Sequence, residues 1–375
     1  MKRILFITPF VPGKTEGGGA AYTYELINEL SKENTIDLLY FRYKNKSRYK
    51  PETRNVNVIA EIVVNRWQKI ASFISCPFVF PLFTARFRWL LVRKINRLVN
   101  DNHYDYCYFD FGQTFSYAKF VRHPNKIMMA HDVIAQKYTR MKRWLYWWAK
   151  SSEGDLLKYG EHIFTFSQKD CDLIKKLYGL NSLSTTFFLS EDVKLSFPNE
   201  IGDYFVMFGS WGRAENYVML EWLLNNEDNL IPNNRRVIVV GGGSIPLNIK
   251  DAIKGSSKIT YVGYVDNPYP IISNAIAEIA PLSKGAGVKV KCVEALACGT
   301  PIIGTEVAFE GIPSDFNEFM IEAYTVEEYA SVMNKIDFSL TERITLKNKF
   351  CRQYDNKTIL KLINKGEYEQ ESALG

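Results

Sequence analysis

The chain contains few of the side chains that build metal centres and disulfide frameworks. Its 375 residues include four histidines and six scattered cysteines, without a CxxC pair or a histidine cluster near the cysteines. This composition excludes the usual zinc spacings and a disulfide scaffold, and it fits a reducing cytoplasm. No Asp-x-Asp pair lies on a loop suited to a metal, because Asp105 and Asp110 are too far apart. We therefore predict that the protein uses neither a metal nor another cofactor.

The sequence also lacks the long apolar segments of membrane proteins. No window holds the roughly twenty uninterrupted apolar residues that a spanning helix needs. The start, "MKRILFITPFVPG", has a short apolar run that ends in prolines without a small-residue cleavage site, so it predicts a first strand rather than a signal peptide. The net charge of +6 is too small to indicate nucleic acid binding. We expect a cytoplasmic protein that is soluble or lies on the inner face of the membrane.

What the chain does contain is a repeated alternation of buried strands and amphipathic helices. Apolar runs such as "RILFITPF", "YDYCYFDF" and "RRVIVVGGG" read as buried parallel strands, and helical patterns separate the runs. This alternation predicts α/β architecture with two Rossmann-like, doubly wound parallel sheets that face a cleft. We place the first domain at residues 1–195 and the second at 203–345. Residues 346–375 form a helical segment that packs back on the first domain in this prediction.

Several glycine-containing loops follow strands, where doubly wound sheets bind their ligands, and they include Gly17–Gly19 and Gly285–Lys291. Among these loops, the segment "KGAGVKVKCVEALACGTPIIGT" carries the strongest signal. Gly285 and Gly287 allow a ligand to approach the backbone, and Lys289 and Lys291 supply positive charge beside a helix N-terminus. Glu294, early in that helix, could accept hydrogen bonds from a pair of sugar hydroxyls. From composition alone, a capping glutamate and solvated lysines explain the pattern equally well.

This segment resembles the C-terminal signature of the GT-B family 4 (group 1) retaining glycosyltransferases. Eleven positions match that signature at fixed spacing: Gly285, Gly287, Lys291, Glu294, Ala295, Ala297, Gly299, Pro301, Ile302, Ile303 and Thr305. "FGSWGRAENYVMLEWLL" is similar to the first strand and loop of the family's donor domain, and "ITPFVPGKTEGGGAAYTYELINEL" is similar to the opening of its N-terminal domain. The resemblance covers most of the chain and is closer after residue 203 than before it.

The resemblance implies a GT-B fold and transfer of a sugar, with retention, from a nucleoside-diphosphate sugar to a glycan or a lipid-linked acceptor. It also implies a place in bacterial surface polysaccharide synthesis. Glu294 would bind the ribose hydroxyls, and Arg213, Lys289 and Lys291 would neutralise the diphosphate. His131 would reach the donor sugar. The remaining implied donor contacts lie at Gly18, Gly19, Gly209, Gly263, Tyr264, Gly285 and Gly287.

Two departures from the family pattern concern the donor site. The second acid that many members carry is replaced by Ala286, so its sugar contact must come from backbone N–H groups, a lysine or elsewhere. The usual arginine–lysine pair after the first C-terminal strand is reduced to Arg213. These departures keep two alternatives open, namely an epimerase or phosphorylase on the same fold and a non-catalytic nucleotide- or glycan-binding protein.

Some residues also have a purely structural interpretation. His131 follows an apolar strand, where a lone histidine often makes only structural hydrogen bonds. Gly241–Gly243 complete no GxGxxG pattern and favour a tight turn after a strand. Ser167 precedes a helical pattern and is a candidate N-cap.

The N-terminal half is basic and aromatic. Between residues 42 and 97 the only acids are Glu52 and Glu61, and "RFRWLLVRKINRLV" and "RMKRWLYWWAK" alternate cations with large apolar residues. Core-facing helices with a solvated outer face explain such segments. The clustered tryptophans Trp144, Trp147 and Trp148 favour a second hypothesis, which is binding to an anionic membrane surface.

Overall fold

A computed structural model describes residues 1–13, 18–354 and 358–366 of the chain. The chain divides into two compact units, one of Met1–Phe188 with Asn356–Gly375 and the other of Leu189–Asp355. The division falls at Phe188 rather than at the predicted boundary near residues 195–203. Its physical reason is Val193, which is fully buried in the core of the second unit and draws the preceding segment with it.

The first unit is built on a seven-stranded parallel sheet. Its strands in chain order are β1 (Arg3–Thr8), β2 (Thr35–Tyr43), β3 (Val56–Val64), β4 (Tyr106–Asp110), β5 (Lys126–Met129), β6 (His162–Thr165) and β7 (Leu183–Ser184). In space the order is β3-β2-β1-β4-β5-β6-β7. The register pairs Ile4 of β1 with Ile36 of β2 on one side and with Tyr106 of β4 on the other. The order therefore reverses between β1 and β4, and a doubly wound sheet binds ligands at the carboxyl ends of such a pair.

Nine α-helices accompany this sheet in the described residues. They are α1 (Gly18–Ser31), α2 (Arg66–Ser75), α3 (Pro81–Thr84), α4 (Trp89–Asp101), α5 (Gly112–Ala118), α6 (Ile134–Met141), α7 (Tyr146–Leu157), α8 (Gln168–Tyr178) and, from the C-terminal segment, α18 (Thr358–Lys365). Ser167 caps α8 as predicted, since its Oγ accepts a hydrogen bond from the Asp170 N–H at 3.1 Å. Helix α18 is tied to the sheet end by the Asn364 side chain, whose oxygen accepts a hydrogen bond from the amide of Asn34 at 2.8 Å.

The second unit holds a six-stranded parallel sheet. Its strands are β8 (Tyr204–Phe208), β9 (Arg236–Val240), β10 (Ile259–Gly263), β11 (Glu278–Ala280), β12 (Ile302–Gly304) and β13 (Met320–Glu322). The spatial order is β10-β9-β8-β11-β12-β13, so this sheet reverses between β8 and β11. The prediction of two doubly wound parallel sheets is thus confirmed.

The helices of the second unit cover both faces of its sheet. They are α9 (Glu191–Leu195), α10 (Ala214–Asn225), α11 (Glu227–Leu230), α12 (Leu247–Gly255), α13 (Tyr269–Asn274), α14 (Val290–Ala297), α15 (Glu306–Phe309), α16 (Val326–Lys335) and α17 (Leu340–Gln353). The predicted appendage 346–375 is therefore split, because α17 packs on α14 within the second unit and α18 belongs to the first. No helix in the described part of the chain is long and apolar enough to cross a bilayer.

Candidate active site

The glycine–lysine loop of the second unit lies at the point where strand order reverses. Glu278 of β11 pairs with Val206 of β8, and the loop leaves the carboxyl end of β11 to reach α14. Gly285 and Gly287 have φ angles of +124° and +68°, which side-chain-bearing residues rarely adopt. These angles turn the loop into the first turn of α14, where N–H groups and the helix dipole favour an anion.

Lys289 folds back over this loop. Its ammonium group donates to the Gly287 carbonyl and lies 3.6 Å from a carboxylate oxygen of Glu310. Glu310 is itself buried, so the loop holds an internal counter-charge for Lys289. A Cβ on Gly285 would lie 3.2 Å from Lys289 Cε. The lysine therefore covers the stretch that contains Ala286, where the related signature carries an acid.

Lys291 and Glu294 lie on the first turns of α14 and have defined neighbours. Lys291 Nζ lies 3.5 Å from the Met219 sulfur of α10. The hydroxyl of Tyr269, at the start of α13, donates to Glu294 Oε1 at 3.0 Å. Burial raises the pKa of Glu294 to about 7, and the bond from Tyr269 opposes that rise. Glu294 therefore changes its charge near neutral pH.

A second carboxylate lies beneath the same helix. Glu278 is buried, and neither of its carboxylate oxygens has a hydrogen-bond partner among the residues that the structure describes. Burial raises its pKa to about 8, while the charge of Lys291 opposes the rise and the charge of Glu294 adds to it. Nothing in the sequence distinguishes Glu278, because it stands alone in the apolar strand "AEIAPL".

The far end of α14 is fixed by two buried cations from α17. Arg343 Nε donates to the Gly299 carbonyl at 2.8 Å, and a terminal nitrogen of the guanidinium donates to the Ser273 carbonyl at 2.7 Å. Lys347 Nζ donates to the Ala297 carbonyl at 3.0 Å. Positive charge at the carboxyl end of a helix complements its dipole, so α17 stabilises the orientation of α14.

The loops after β8, β9 and β10 pack against one another. A Cβ on Gly241 would lie 1.9 Å from the Gly209 carbonyl oxygen. A Cβ on Gly243 would lie 2.4 Å from the backbone nitrogen of Gly212. Gly241 and Gly243 have φ angles of +124° and +113°, so both adopt conformations that favour glycine. Gly263 ends β10 at φ +78°.

Arg213 and Tyr264 border this set of loops. Arg213 is exposed at the N-cap of α10, and Tyr264 is 66% exposed after β10. Both side chains are accessible to a ligand at this edge of the sheet.

In the first unit, three of the predicted residues lie close together. Gly18 and Gly19 form the first turn of α1 rather than a loop before it, which corrects the sequence prediction. A Cβ on Gly19 would lie 3.4 Å from His131 Nδ1 and 2.5 Å from the Phe111 ring. The glycine therefore permits the helix to approach His131, at the carboxyl ends of β1, β4 and β5.

Sequence reasoning missed the partners of the predicted residues. Asp110, which accepts a hydrogen bond from His131, ends the strand "YDYCYFDF", and Glu310 lies in "AFEGI". The signal for Asp110 was its strand-end position at the same sheet edge as His131. No group of three or more metal-binding side chains occurs in the described residues.

Comparisons with known proteins agree with this architecture. Residues 203–336 match the family model described as glycosyl transferases group 1. No curated protein sequence matches the chain.

Solved structures of low sequence identity share the whole fold. HepE of Anabaena, in complex with UDP and glucose, is 13% identical with a TM-score of 0.66, over 98% of this chain and 99% of that one. Sucrose-phosphate synthase of Thermosynechococcus elongatus is 15% identical with a TM-score of 0.68, over 98% of both chains. The lipopolysaccharide outer core galactosyltransferase WaaB is 13% identical with a TM-score of 0.66, over 97% of this chain and 100% of that one.

The protein therefore has the GT-B fold. Its second unit contains the segment, residues 203–336, that matches the group 1 glycosyltransferase family model.

Proposed function

We propose that the protein transfers a sugar from a nucleoside-diphosphate sugar to a glycan or lipid-linked acceptor with retention of configuration. The observation that supports this most is the segment from Gly285 to Glu294. It combines a glycine loop with positive φ angles, a helix N-terminus, two lysines and an acid at the reversal point of the second sheet. A diphosphate linked to a ribose is the ligand whose chemistry matches these groups.

In this proposal Glu294 accepts hydrogen bonds from the ribose hydroxyls through the oxygen that Tyr269 leaves free. Lys291 and Arg213 offset the charge that grows on the leaving diphosphate. Lys289 and the N–H groups of the Gly285–Gly287 loop take over the sugar contact that the missing acid at Ala286 would make. Gly209, Gly263 and Tyr264 border the nucleotide.

The first unit has candidate ligand-binding groups of its own. In this proposal Gly18 and Gly19 present the N-terminus of α1 to a ligand, and His131 contacts a sugar. Because cationic side chains and helix termini supply the positive charge, we propose a metal-independent reaction. Turnover that persists in excess EDTA supports this, and turnover that EDTA abolishes and Mg²⁺ or Mn²⁺ restores contradicts it.

Uridine diphosphate sugars are the first donors to test, because HepE is described in complexes with UDP and with UDP-glucose. Proteins of lipopolysaccharide synthesis, WaaB and WaaG, are among the structural neighbours. On this basis we propose an acceptor of the same kind, a bacterial surface polysaccharide or its lipid-linked precursor.

The decisive experiment measures donor binding and slow donor hydrolysis by the full chain. Calorimetry with UDP, GDP and TDP sugars identifies the donor, and Glu294→Ala is expected to abolish the heat of binding. Lys291→Met is expected to lower kcat more than donor affinity, because the diphosphate gains charge during the reaction. Lys250→Met, at an exposed lysine of α12 in the same unit, is the matched control.

The other candidates give different results in the same experiment. An epimerase releases free sugar and nucleotide with no acceptor, and a phosphorylase needs phosphate. A non-catalytic binder gives heat without hydrolysis. Proton NMR of the transferred sugar shows the anomeric outcome, and inversion would contradict the proposed retention.

We also propose that the first unit binds an anionic membrane surface. Helix α2, the segment after it and helix α7 expose large apolar side chains, among them Trp67 (79% exposed), Phe78 (90%) and Trp147 (72%). The two helices are neighbours, since Phe73 of α2 contacts the Trp148 ring and Trp148 Nε1 donates to the Phe78 carbonyl at 2.8 Å. Aromatic residues beside many cations and few acids match the headgroup region of anionic lipids.

Co-sedimentation with vesicles tests this surface. We expect binding to phosphatidylglycerol vesicles at low salt, weaker binding at high salt, and little binding to phosphatidylcholine. The double variant Trp67→Ser and Phe78→Ser is expected to lose most of the bound fraction. Leu247→Ser removes a residue of similar exposure from the second unit and serves as the control. Equal sedimentation of both variants, or none of the unmodified protein, contradicts the proposal.

A further inference from the structure

The carboxylate of Asp110 is buried at the reversal point of the first sheet and is surrounded by donors. One oxygen accepts a hydrogen bond from His131 Nε2 at 2.8 Å. The other accepts from the hydroxyl of Thr8 at 2.9 Å and from that of Thr23 at 2.6 Å. Thr8 ends β1, Asp110 ends β4 and Thr23 lies on α1, so three elements of the fold converge on one carboxylate.

The His131 ring is held on its face as well as at its edge. The Phe111 ring stacks on it, with the two centroids 3.4 Å apart and the planes inclined by 5°. Phe111 is the one non-glycine residue of the described chain with a positive φ, at 59°. Phenylalanine rarely adopts this conformation, and such strained backbone persists where the surrounding structure requires it.

We propose that Asp110 and Phe111 are positioning residues that fix His131 in the Nε2–H tautomer and leave Nδ1 as the atom that contacts the ligand. This inference rests on the proposed function of His131 and deepens it.

The chemistry follows from the hydrogen-bond inventory of the two side chains. An ionised carboxylate only accepts, so His131 Nε2 must carry the proton in the bond to Asp110. In the neutral ring Nδ1 is then an acceptor, and the hydroxyl of a sugar is a donor that fits it. The other tautomer would turn a ring nitrogen without a proton toward the carboxylate and lose the bond. Stacking on Phe111 prevents the ring from rotating about its bond to Cβ.

The tautomer can be read directly by NMR. The chain contains four histidines, so a long-range proton–nitrogen spectrum has four ring systems, and His131→Gln identifies the signal of His131. The unmodified protein is expected to show protonated Nε2 and unprotonated Nδ1 for the neutral His131 ring. An Nδ1–H tautomer in the unmodified protein overturns the proposal without any variant.

Two substitutions test the role of the carboxylate. Asp110→Ala removes the acceptor and is expected to give mixed tautomers. Asp110→Asn keeps the shape and removes the charge. We expect both variants to lower kcat about 10- to 100-fold, the effect typical of groups that orient an active-site histidine, with donor KM changed only a few-fold. Phe111→Ala leaves the bond to Asp110 in place and is expected to reduce kcat less.

Asp37→Asn is the matched control. Asp37 is another buried carboxylate of the same sheet, bonded to Arg3 and Tyr104, and it lies on β2 away from His131. We expect this variant to keep the tautomer of His131 and its kcat. Asp110 variants that keep the Nε2–H tautomer and wild-type kcat overturn the proposal.

These experiments separate a failure of the tautomer proposal from a failure of the proposed function of His131. If His131→Ala retains full turnover, His131 has no part in the reaction, while the tautomer measurement still reports whether Asp110 fixes the ring. If Asp110 variants do not fold, the spectrum of the unmodified protein and the Phe111→Ala variant decide the question.

Discussion

Glu278 offers the sharpest test of the electrostatics beneath the candidate donor site. The carboxyl group is buried without a hydrogen-bond partner in the described residues, and burial raises its pKa to about 8 from the ordinary value of 4.5. The charged groups that face it lie on α14, where Lys291 favours ionisation and Glu294 opposes it. Removal of this acid by Glu278→Gln should therefore change how stability depends on pH.

The sign follows from proton linkage. Between its unfolded and folded pKa values, Glu278 binds more protons in the folded protein than in the unfolded chain. Its contribution is therefore fully present below about pH 4.5 and is lost as the pH rises toward 8. With a pKa difference of about 3.5 units, at about 1.36 kcal/mol per unit, the raised pKa of Glu278 lowers the free energy of unfolding by about 4 kcal/mol at pH 8 and by about 1.4 kcal/mol at pH 5.5.

Glu278→Gln keeps the side-chain shape and cannot ionise. Relative to the unmodified protein, the variant should thus gain about 3 kcal/mol between pH 5.5 and pH 8. For a unit of this size, the melting temperature of the variant minus that of the unmodified protein should therefore be about 6 to 12 °C larger at pH 8 than at pH 5.5. Water or Lys291 moving closer to the ionised carboxylate would reduce the figure.

Differential scanning calorimetry at the two pH values measures this difference. Glu221→Gln, at an exposed glutamate of α10 in the same unit, removes the same formal charge and should give a difference that is independent of pH. If Glu278→Gln behaves like Glu221→Gln, then Glu278 ionises normally in the folded protein, and the reasoning about its burial is refuted.

Three further predictions concern α14 and its supports. Gly299→Ala should lower the free energy of unfolding, measured by urea titration, by more than about 2 kcal/mol. Residue 299 has φ +77°, and its Cβ would lie 2.5 Å from the Arg343 carbonyl oxygen. Gly255→Ala, with open space around it, should be neutral or slightly stabilising in the same titration. Lys347→Met should cost about 1 to 3 kcal/mol because it removes the buried hydrogen bonds to the carbonyls of Val193 and Ala297. Lys349→Met, on the exposed side of α17, should cost less than about 0.5 kcal/mol. Tyr269→Phe removes a hydrogen bond that lowers the pKa of Glu294, so that pKa should rise above its present value of about 7. The increase of donor affinity with pH, measured by calorimetry, should then occur at higher pH. An unchanged dependence of affinity on pH would show that Tyr269 does not control the pKa of Glu294.

The sheets could be predicted from the sequence because their strands are short, continuous apolar runs. Strands β7 and β13 were not predicted, since they have two and three residues, lie at sheet edges and carry no such run. Helix α2 was also missed. Its apolar residues face outward, so the usual relation between an apolar stripe and the core does not hold there.

The sequence predicted individual residues of the candidate site but not which side chains contact one another. The positions of Glu294 and Lys291 follow from local spacing, whereas their neighbours Tyr269, Glu278 and Met219 come from other elements and depend on the tertiary fold. Gly18 and Gly19 were predicted as loop residues because they lie in a glycine run between the first strand and the helical pattern that follows. The contact of Gly19 with Phe111 explains why helix α1 nevertheless begins there.

The same contacts explain what the matched signature can and cannot predict. Of its constrained positions, Gly299 accommodates the backbone of Arg343, and Ala295 and Ala297 are buried in the core. These residues hold α14 between the sheet and α17, so their presence indicates the donor-domain architecture and carries no information about the sugar. In the proposed function, contacts with the sugar involve Lys289, beside Ala286, and His131, and none of these three is a matching position of the signature. Under that proposal the signature does not constrain the choice of donor sugar.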